Sequence, residues 1–213
     1  MADPEKFLEA KRKWARDGRL LTGTTADPET QRLPPGQTLT EGWPVLDLGA
    51  QPEVSAQRFR LDIDGAVARP LSLNWDEFLK LPQQHCVSDI HCVTQWSRYD
   101  NHWQGVAAST IIAEVAPHPN AAHIVLHGYD GYLTNLTLAQ FAAPDVILAH
   151  SWAGEPLTTP HGGPLRAIIP QLYLWKSAKW LRRIEFTVSD RPGFWERNGY
   201  HNNADPWLEE RYD

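Results

Sequence analysis

Gly154-Glu155-Pro156-Leu157-Thr158-Thr159-Pro160-His161-Gly162-Gly163-Pro164-Leu165-Arg166 runs as a Gly/Pro-rich loop into an apolar strand over residues 165–169. Lys179 follows 13 positions after Arg166, inside Trp175-Lys176-Ser177-Ala178-Lys179-Trp180. Backbone amides of such a loop, a planar guanidinium fork and an ammonium point charge together suit a bound phosphate. Taken alone, the same composition favours an ordinary loop flanked by surface cations.

Working outward, residues 180–188 read as the last strand, with Trp180, Ile184, Phe186 and Val188 facing inward. Residues 57–63 alternate apolar and polar, and Asp64-Gly65 turns the chain. Asn74 and Glu77 form a capping box that opens a short helix, and Pro82 ends it. Residues 84–94 are β-rich, 106–115 suit a helix, 123–127 a buried strand and 145–150 another, with Thr137 capping a short helix before it. Asp3-Pro4 opens a helix ending at Gly18, and the Pro-rich residues 19–57 read as an extended wrapping segment. Short strands and short helices without a regular βαβ rhythm indicate an α+β fold with mixed β-sheets. The expected division is an N-terminal helix and wrap over 1–41, a catalytic domain over 42–190 and a packed tail over 191–213.

The 213 residues carry a formal charge of −6, which excludes a general nucleic-acid binder because phosphate backbones need a positive footprint. No apolar run approaches the ~20 residues of a membrane span, and the N-terminus lacks a secretory signal, so a cytoplasmic location is expected. Two cysteines make no disulfide framework. They lie in His85-Cys86-Val87-Ser88-Asp89-Ile90-His91-Cys92-Val93-Thr94-Gln95-Trp96, the densest run of reactive side chains. Zinc is disfavoured there, since in a strand the two sulfurs stand roughly 20 Å apart at ~3.3 Å per residue. A Cys-His nucleophile and a pair of buried, inert thiols both stay open.

Four stretches taken together resemble the molybdopterin-binding domain of the sulfite oxidase superfamily, over about residues 42–188. Trp43-Pro44-Val45-Leu46-Asp47-Leu48-Gly49 is similar to a segment that lies against the pterin. Phe59-Arg60-Leu61-Asp62-Ile63-Asp64-Gly65 resembles the strand that follows it. Cys92 stands where the family has its metal-ligating cysteine. The order and spacing of Gly154–Leu157, His161–Arg166 and Lys176–Leu181 match the family's cofactor loops. The resemblance implies the sulfite oxidase molybdopterin-binding fold, a molybdenum cofactor, and oxygen-atom transfer to or from a small substrate. It implies Cys92 as catalytic residue and molybdenum ligand, and His161, Arg166, Ser177 and Lys179 as holders of the pterin phosphate and ring edge. Asp47 takes the place of an Asn beside the cofactor, and Thr134 and Asn135 belong to another cofactor-facing loop. His91, Trp96 and His102 are candidate pocket walls, and Cys86 is structural.

A soft thiolate is a suitable protein ligand for a metal whose cofactor supplies further sulfur. Two departures stand out: Leu46 replaces the Arg that helps hold sulfite, and Val93-Thr94-Gln95 follows the cysteine where Ala-Gly-Asn is common. Sulfite is therefore not the expected substrate. No counterpart of a haem domain is present, so electrons are expected to pass to or from a separate partner. A cofactor-binding module without turnover and a Cys-dependent hydrolase are the alternatives.

Overall fold

The strands and helices alternate as β1 (Thr38–Leu39), β2 (Leu61–Gly65), β3 (Leu71–Leu73), α1 (Trp75–Lys80), β4 (Gln83–Cys92), β5 (Trp96–Ala107), α2 (Ala108–Val115), β6 (His123–Gly128), β7 (Leu133–Thr137), α3 (Leu138–Phe141), β8 (Ile147–Trp152), β9 (Glu155–Pro156), β10 (Arg166–Ile168) and β11 (Leu181–Thr187). The computed structural model describes residues 32–47, 49 and 51–212. The helix expected over 3–18 and the first part of the expected wrap lie outside them. Residues 35–212 belong to one compact unit.

Two mixed sheets carry this unit. The larger has the order β1-β5-β8-β10, with β4 also on β5 and β9 on β8; β1 runs parallel to β5 and the other pairs are antiparallel. The smaller has the order β3-β2-β11-β6-β7, in which β2 and β11 are parallel, with Ile63 opposite Ile184. The main core takes Leu61, Ile63, Ile124, Leu126, Ile184 and Phe186 from the smaller sheet. Val106, Leu148 and Ala167 of the larger sheet join it, with Phe78 of α1 and Ile111 of α2. Alternation along the strands sends Ile147, Ala149 and Ile168 to the opposite face, where they pack with Ile90, Trp103 and Leu157. The larger sheet is thus covered on both faces along β8, β10 and the end of β5. That rigid double-sided sheet is what carries Cys92, at the end of β4, and Arg166, at the start of β10.

The α1 reading holds in detail: Asn74 Oδ1 accepts from the Glu77 amide at 2.9 Å and Glu77 Oε2 accepts from the Asn74 amide at 2.8 Å. Thr137 and Gln140 repeat the device at α3. Three expectations are corrected. β5 follows β4 directly as a 12-residue strand that the pattern did not show, because its inward positions include Ser97 and Asn101, both fully buried. Asn101 donates to the carbonyls of Ser88 and Arg98, so burying it costs no lost hydrogen bond. Residues 133–137, read as a loop, form β7. In β11 a bulge between Leu181 and Arg183 shifts the alternation, and pairing with β6 stops at Thr187. Val188 is consequently 53% exposed rather than inward, while Trp180, at φ +48°, is buried ahead of the strand.

Candidate active site

A cavity of about 340 Å³ runs from Cys92 to Lys179. Its walls come from residues 43–47, the β4–β5 turn, a 3-10 turn over Thr159–His161, a second over Leu174–Lys176, and the tail at Trp195 and Tyr200. Of the nine Trp among the described residues, five line it: Trp43, Trp96, Trp175, Trp180 and Trp195. Cys92, Asp47, His161, Arg166, Ser177 and Lys179, separated by up to 132 positions in the chain, all meet there.

Cys92 ends β4 where the chain turns through Gln95, whose φ of +70° lets its amide reach back to the Cys92 carbonyl at 3.0 Å. Gln37 Nε2 holds the same carbonyl at 3.1 Å. The thiol is 6% exposed and lies 3.1 Å from Thr94 Oγ1. Burial pushes its pKa up, and hydrogen bonds from Thr94 and Val93 only partly oppose this. A thiol held protonated in this way is a poor free nucleophile, which counts against the hydrolase reading. Coordination of a soft metal ion by such a thiol would displace its proton.

The far end is basic. The His161 ring stacks on Trp43 with centroids 4.1 Å apart, and its Nε2 lies 3.1 Å from the Trp43 carbonyl. A carbonyl only accepts, so Nε2 carries the proton and Nδ1 faces the Thr158 hydroxyl at 3.1 Å. Burial lowers the His161 pKa, with Arg166 and Lys179 acting in the same direction. The ring is therefore neutral at pH 7. Arg166 is 3% exposed and donates to the His161 carbonyl at 2.7 Å and the Ser177 carbonyl at 3.0 Å, while its guanidinium lies 5.2 Å from the Trp43 ring. Burial pushes its pKa down to about 9. Lys179 donates to the Pro160 carbonyl at 2.7 Å. Its pKa is pushed down to about 8, by burial first and Arg166 next, against the pull of Asp47 and Asp130. Neither cation forms an ion pair within 4.0 Å with a described carboxylate. Two adjacent, partly dehydrated cations without a counter-anion are unfavourable as they stand and suit a bound phosphate.

The loop is shaped to allow this. Gly162, at φ +98°, leaves room for Lys179: a Cβ there would sit 3.0 Å from the Lys179 side chain. At Gly163 a Cβ would lie 2.0 Å from the Leu157 carbonyl oxygen. Ser177 Oγ accepts from the Ile169 amide at 2.9 Å, pinning the second 3-10 turn to β10.

Asp47 sits at the exposed rim, its carboxylate held by Gln51 and by the Gly49 amide, which lower its pKa in that order. Thr134 and Asn135, in contrast, do not reach the cavity. They are buried on β7, where Thr134 donates to Glu196 and the Asn135 side chain and carbonyl accept from Lys176. Of the three candidate walls only Trp96 lines the cavity; His91 is buried against Ser97 and Trp207, and His102 is exposed on β5. Cys86 packs beside the second core cluster. Among the described residues, no three His, Cys, Asp or Glu side chains converge as a metal set. Asp130, Tyr132, Trp175, Trp195 and Tyr200 were not foreseen as site residues. Their segments have no periodicity that marks one face, and only folding brings them to the cavity.

A lone thiol at one end of a cavity, with unpaired cations at the other, fits an anionic organic cofactor that carries a soft metal. The chain belongs to the family described as the oxidoreductase molybdopterin binding domain, which matches residues 48–195. It is 44% identical over 190 residues to the uncharacterised oxidoreductase YuiH of Bacillus subtilis, covering 89% of this chain and 96% of that protein. It is 27% identical to the protein-methionine-sulfoxide reductase catalytic subunit MsrP of Gluconobacter oxydans, over 75% of this chain and 60% of MsrP. With the mitochondrial sulfite oxidase of Mus musculus the identity is 24%, over 78% of this chain and 37% of the other. The sulfane dehydrogenase SoxCD structure from Paracoccus pantotrophus shares the fold, with a TM-score of 0.62 at 22% identity over 74% of this chain and 46% of that one. The protein is an oxidoreductase of the sulfite oxidase-like class with the molybdenum cofactor as its prosthetic group.

Proposed function

We propose that Cys92 is the protein ligand of the molybdenum and that the enzyme transfers an oxygen atom to or from a small substrate lacking negative charge. One observation carries this: a single cavity joins the buried Cys92 thiol to Arg166 and Lys179, neither of which pairs with a described carboxylate. When bound, the cofactor supplies two-electron oxygen-atom chemistry, with electrons exchanged through a separate partner. The residues of the chain supply the rest. Arg166 and Lys179 hold the phosphate, aided by the neutral His161, whose ring is braced on Trp43. Ser177 fixes the turn between them, and Asp47 offers acceptors to the donor edge of the pterin from the rim. Cys92 gives up its proton as the metal binds, and Thr94 supports the sulfur.

The charge distribution selects the substrate. Among the described residues, His161, Arg166 and Lys179 are the basic side chains that line the cavity, and the main influences on the Cys92 thiol are burial and hydrogen bonds from Thr94 and Val93. Val93, Trp175, Trp195 and Tyr200 surround that end instead, with Leu46 also in the wall. An oxyanion gains no charge-assisted hydrogen bond there, whereas a neutral oxo-compound loses nothing by leaving water for an aromatic wall.

Cys92→Ser tests the ligand assignment. Molybdenum content and turnover should fall at least tenfold while pterin content stays within twofold of wild type; full turnover in the variant would overturn it. A dye-linked assay comparing sulfite, dimethyl sulfoxide and trimethylamine N-oxide tests the charge argument, and a preference for sulfite sinks it.

A further inference from the structure

Glu196 is the best-connected buried acid among the described residues, and nothing in the reading above uses it. It lies one residue beyond the stretch that matches the family. Its Oε1 accepts from Lys176 Nζ at 2.7 Å, Thr134 Oγ1 at 2.9 Å and Trp175 Nε1 at 3.0 Å. Lys176 is wholly buried and Glu196 is 8% exposed. The three donors belong to two elements, β7 and the turn over Leu174–Lys176, so one carboxylate oxygen ties the tail to both. Gly193 allows the approach: a Cβ there would fall 2.3 Å from the Leu133 carbonyl oxygen and 2.7 Å from Glu196 Oε2.

The aromatic wall beside Cys92 hangs on this knot. Trp175 is held directly through its indole N–H. Trp195, the residue before Glu196, stacks on Tyr200 at 4.7 Å, and Tyr200 meets Trp175 edge-on at 5.0 Å. Cys92, Trp175, Trp195 and Tyr200 line the same cavity. A sequence-distant carboxylate thus fixes a rigid three-ring wall at the metal end of the cavity. An indole pinned by a charge-assisted hydrogen bond loses the rotameric freedom that would let the wall open.

We propose that Glu196 is a positioning residue that holds the Trp175–Tyr200–Trp195 wall closed over Cys92 and so sets the size of the substrate end. This rests on the Cys92 reading of the cavity. Its test, however, uses the cofactor-free full-length chain and needs neither metal nor substrate. The alkylation rate of Cys92 by iodoacetamide is followed by mass spectrometry, with the partly buried Cys86 as internal reference. The double variant Lys176→Met/Glu196→Ala removes both buried charges together, so neither is stranded. In it, Cys92 should react at least tenfold faster than in wild type while Cys86 stays within twofold. The double variant Lys176→Met/Glu196→Gln keeps an acceptor for the indole and strands no charge, and its Cys92 rate should remain within threefold of wild type. Trp175→Phe keeps the ion pair but deletes the indole donor, and should raise the Cys92 rate at least threefold; this variant decides the matter if the double variant does not fold. An unchanged Cys92 rate, or Cys86 accelerating in parallel, overturns the proposal. Molybdenum and pterin content of the loaded variants reports separately on the cofactor assignment.

Discussion

Arg166 illustrates how much one side chain of this site is asked to do. Its guanidinium is spent on two carbonyls and a Trp face, which aims it, yet its charge is not cancelled by any described carboxylate. On the proposed reading Arg166 gives the cofactor's phosphate a charge-assisted contact of about 1.5–3 kcal/mol, or roughly tenfold or more in affinity. Arg166→Ala should therefore emerge from gel filtration with at least a tenfold loss of pterin, read by fluorescence of the oxidised pterin. Lys179 gives the site a pH signature. Its pKa in the folded, cofactor-free protein is about 8 against an ordinary 10.5. Between those values the unfolded chain holds more protons, so this residue makes stability rise with pH across the window. The Tm difference between wild-type apoprotein and Lys179→Met should thus shift in favour of wild type from pH 8 to pH 10.5. A difference that is flat in pH would mean that Lys179 is not desolvated.

At the scale of elements, the loop between β9 and β10 is set by sterics more than by side-chain chemistry. A methyl group at Gly163 meets the Leu157 carbonyl oxygen at 2.0 Å, a backbone atom that cannot swing aside. Gly163→Ala should move the loop, lowering pterin retention while leaving the far-UV circular dichroism of the sheets intact. Helix α1 is a separable case. Its capping box stands clear of the cavity, so Asn74→Ala should lower stability by about 1 kcal/mol in urea unfolding and leave cofactor content unchanged.

Across the whole molecule, the two sheets share one core while the tail completes the cavity. Glu196 is the counter-charge of the fully buried Lys176. A chain cut after Pro192 strands that cation, and breaking a buried pair from one side costs about 3–5 kcal/mol. Urea unfolding should show a loss of that size, with Lys176→Met in the truncated chain restoring part of it. A truncation that unfolds at the wild-type midpoint would show the tail to be dispensable for the fold.

Local rules were enough to mark α1, α3, β6 and β8 in the sequence, because capping boxes and apolar runs act within a few residues. The run holding Cys92 and the loop around Arg166 and Lys179 could be singled out as well, since order and spacing survive in one dimension. β5 was not, for its inward positions are polar groups satisfied by other strands, and β11 was misread at its end because a bulge and a missing partner overrode the alternation. Only folding showed that Cys92 and Arg166 open into one cavity, that Thr134 and Asn135 are spent beneath its wall, and that Glu196 binds the tail to it. Those facts rest on contacts between residues far apart in the chain, and hydrogen-bond partners and shared cavities are properties of three-dimensional packing that no local pattern encodes.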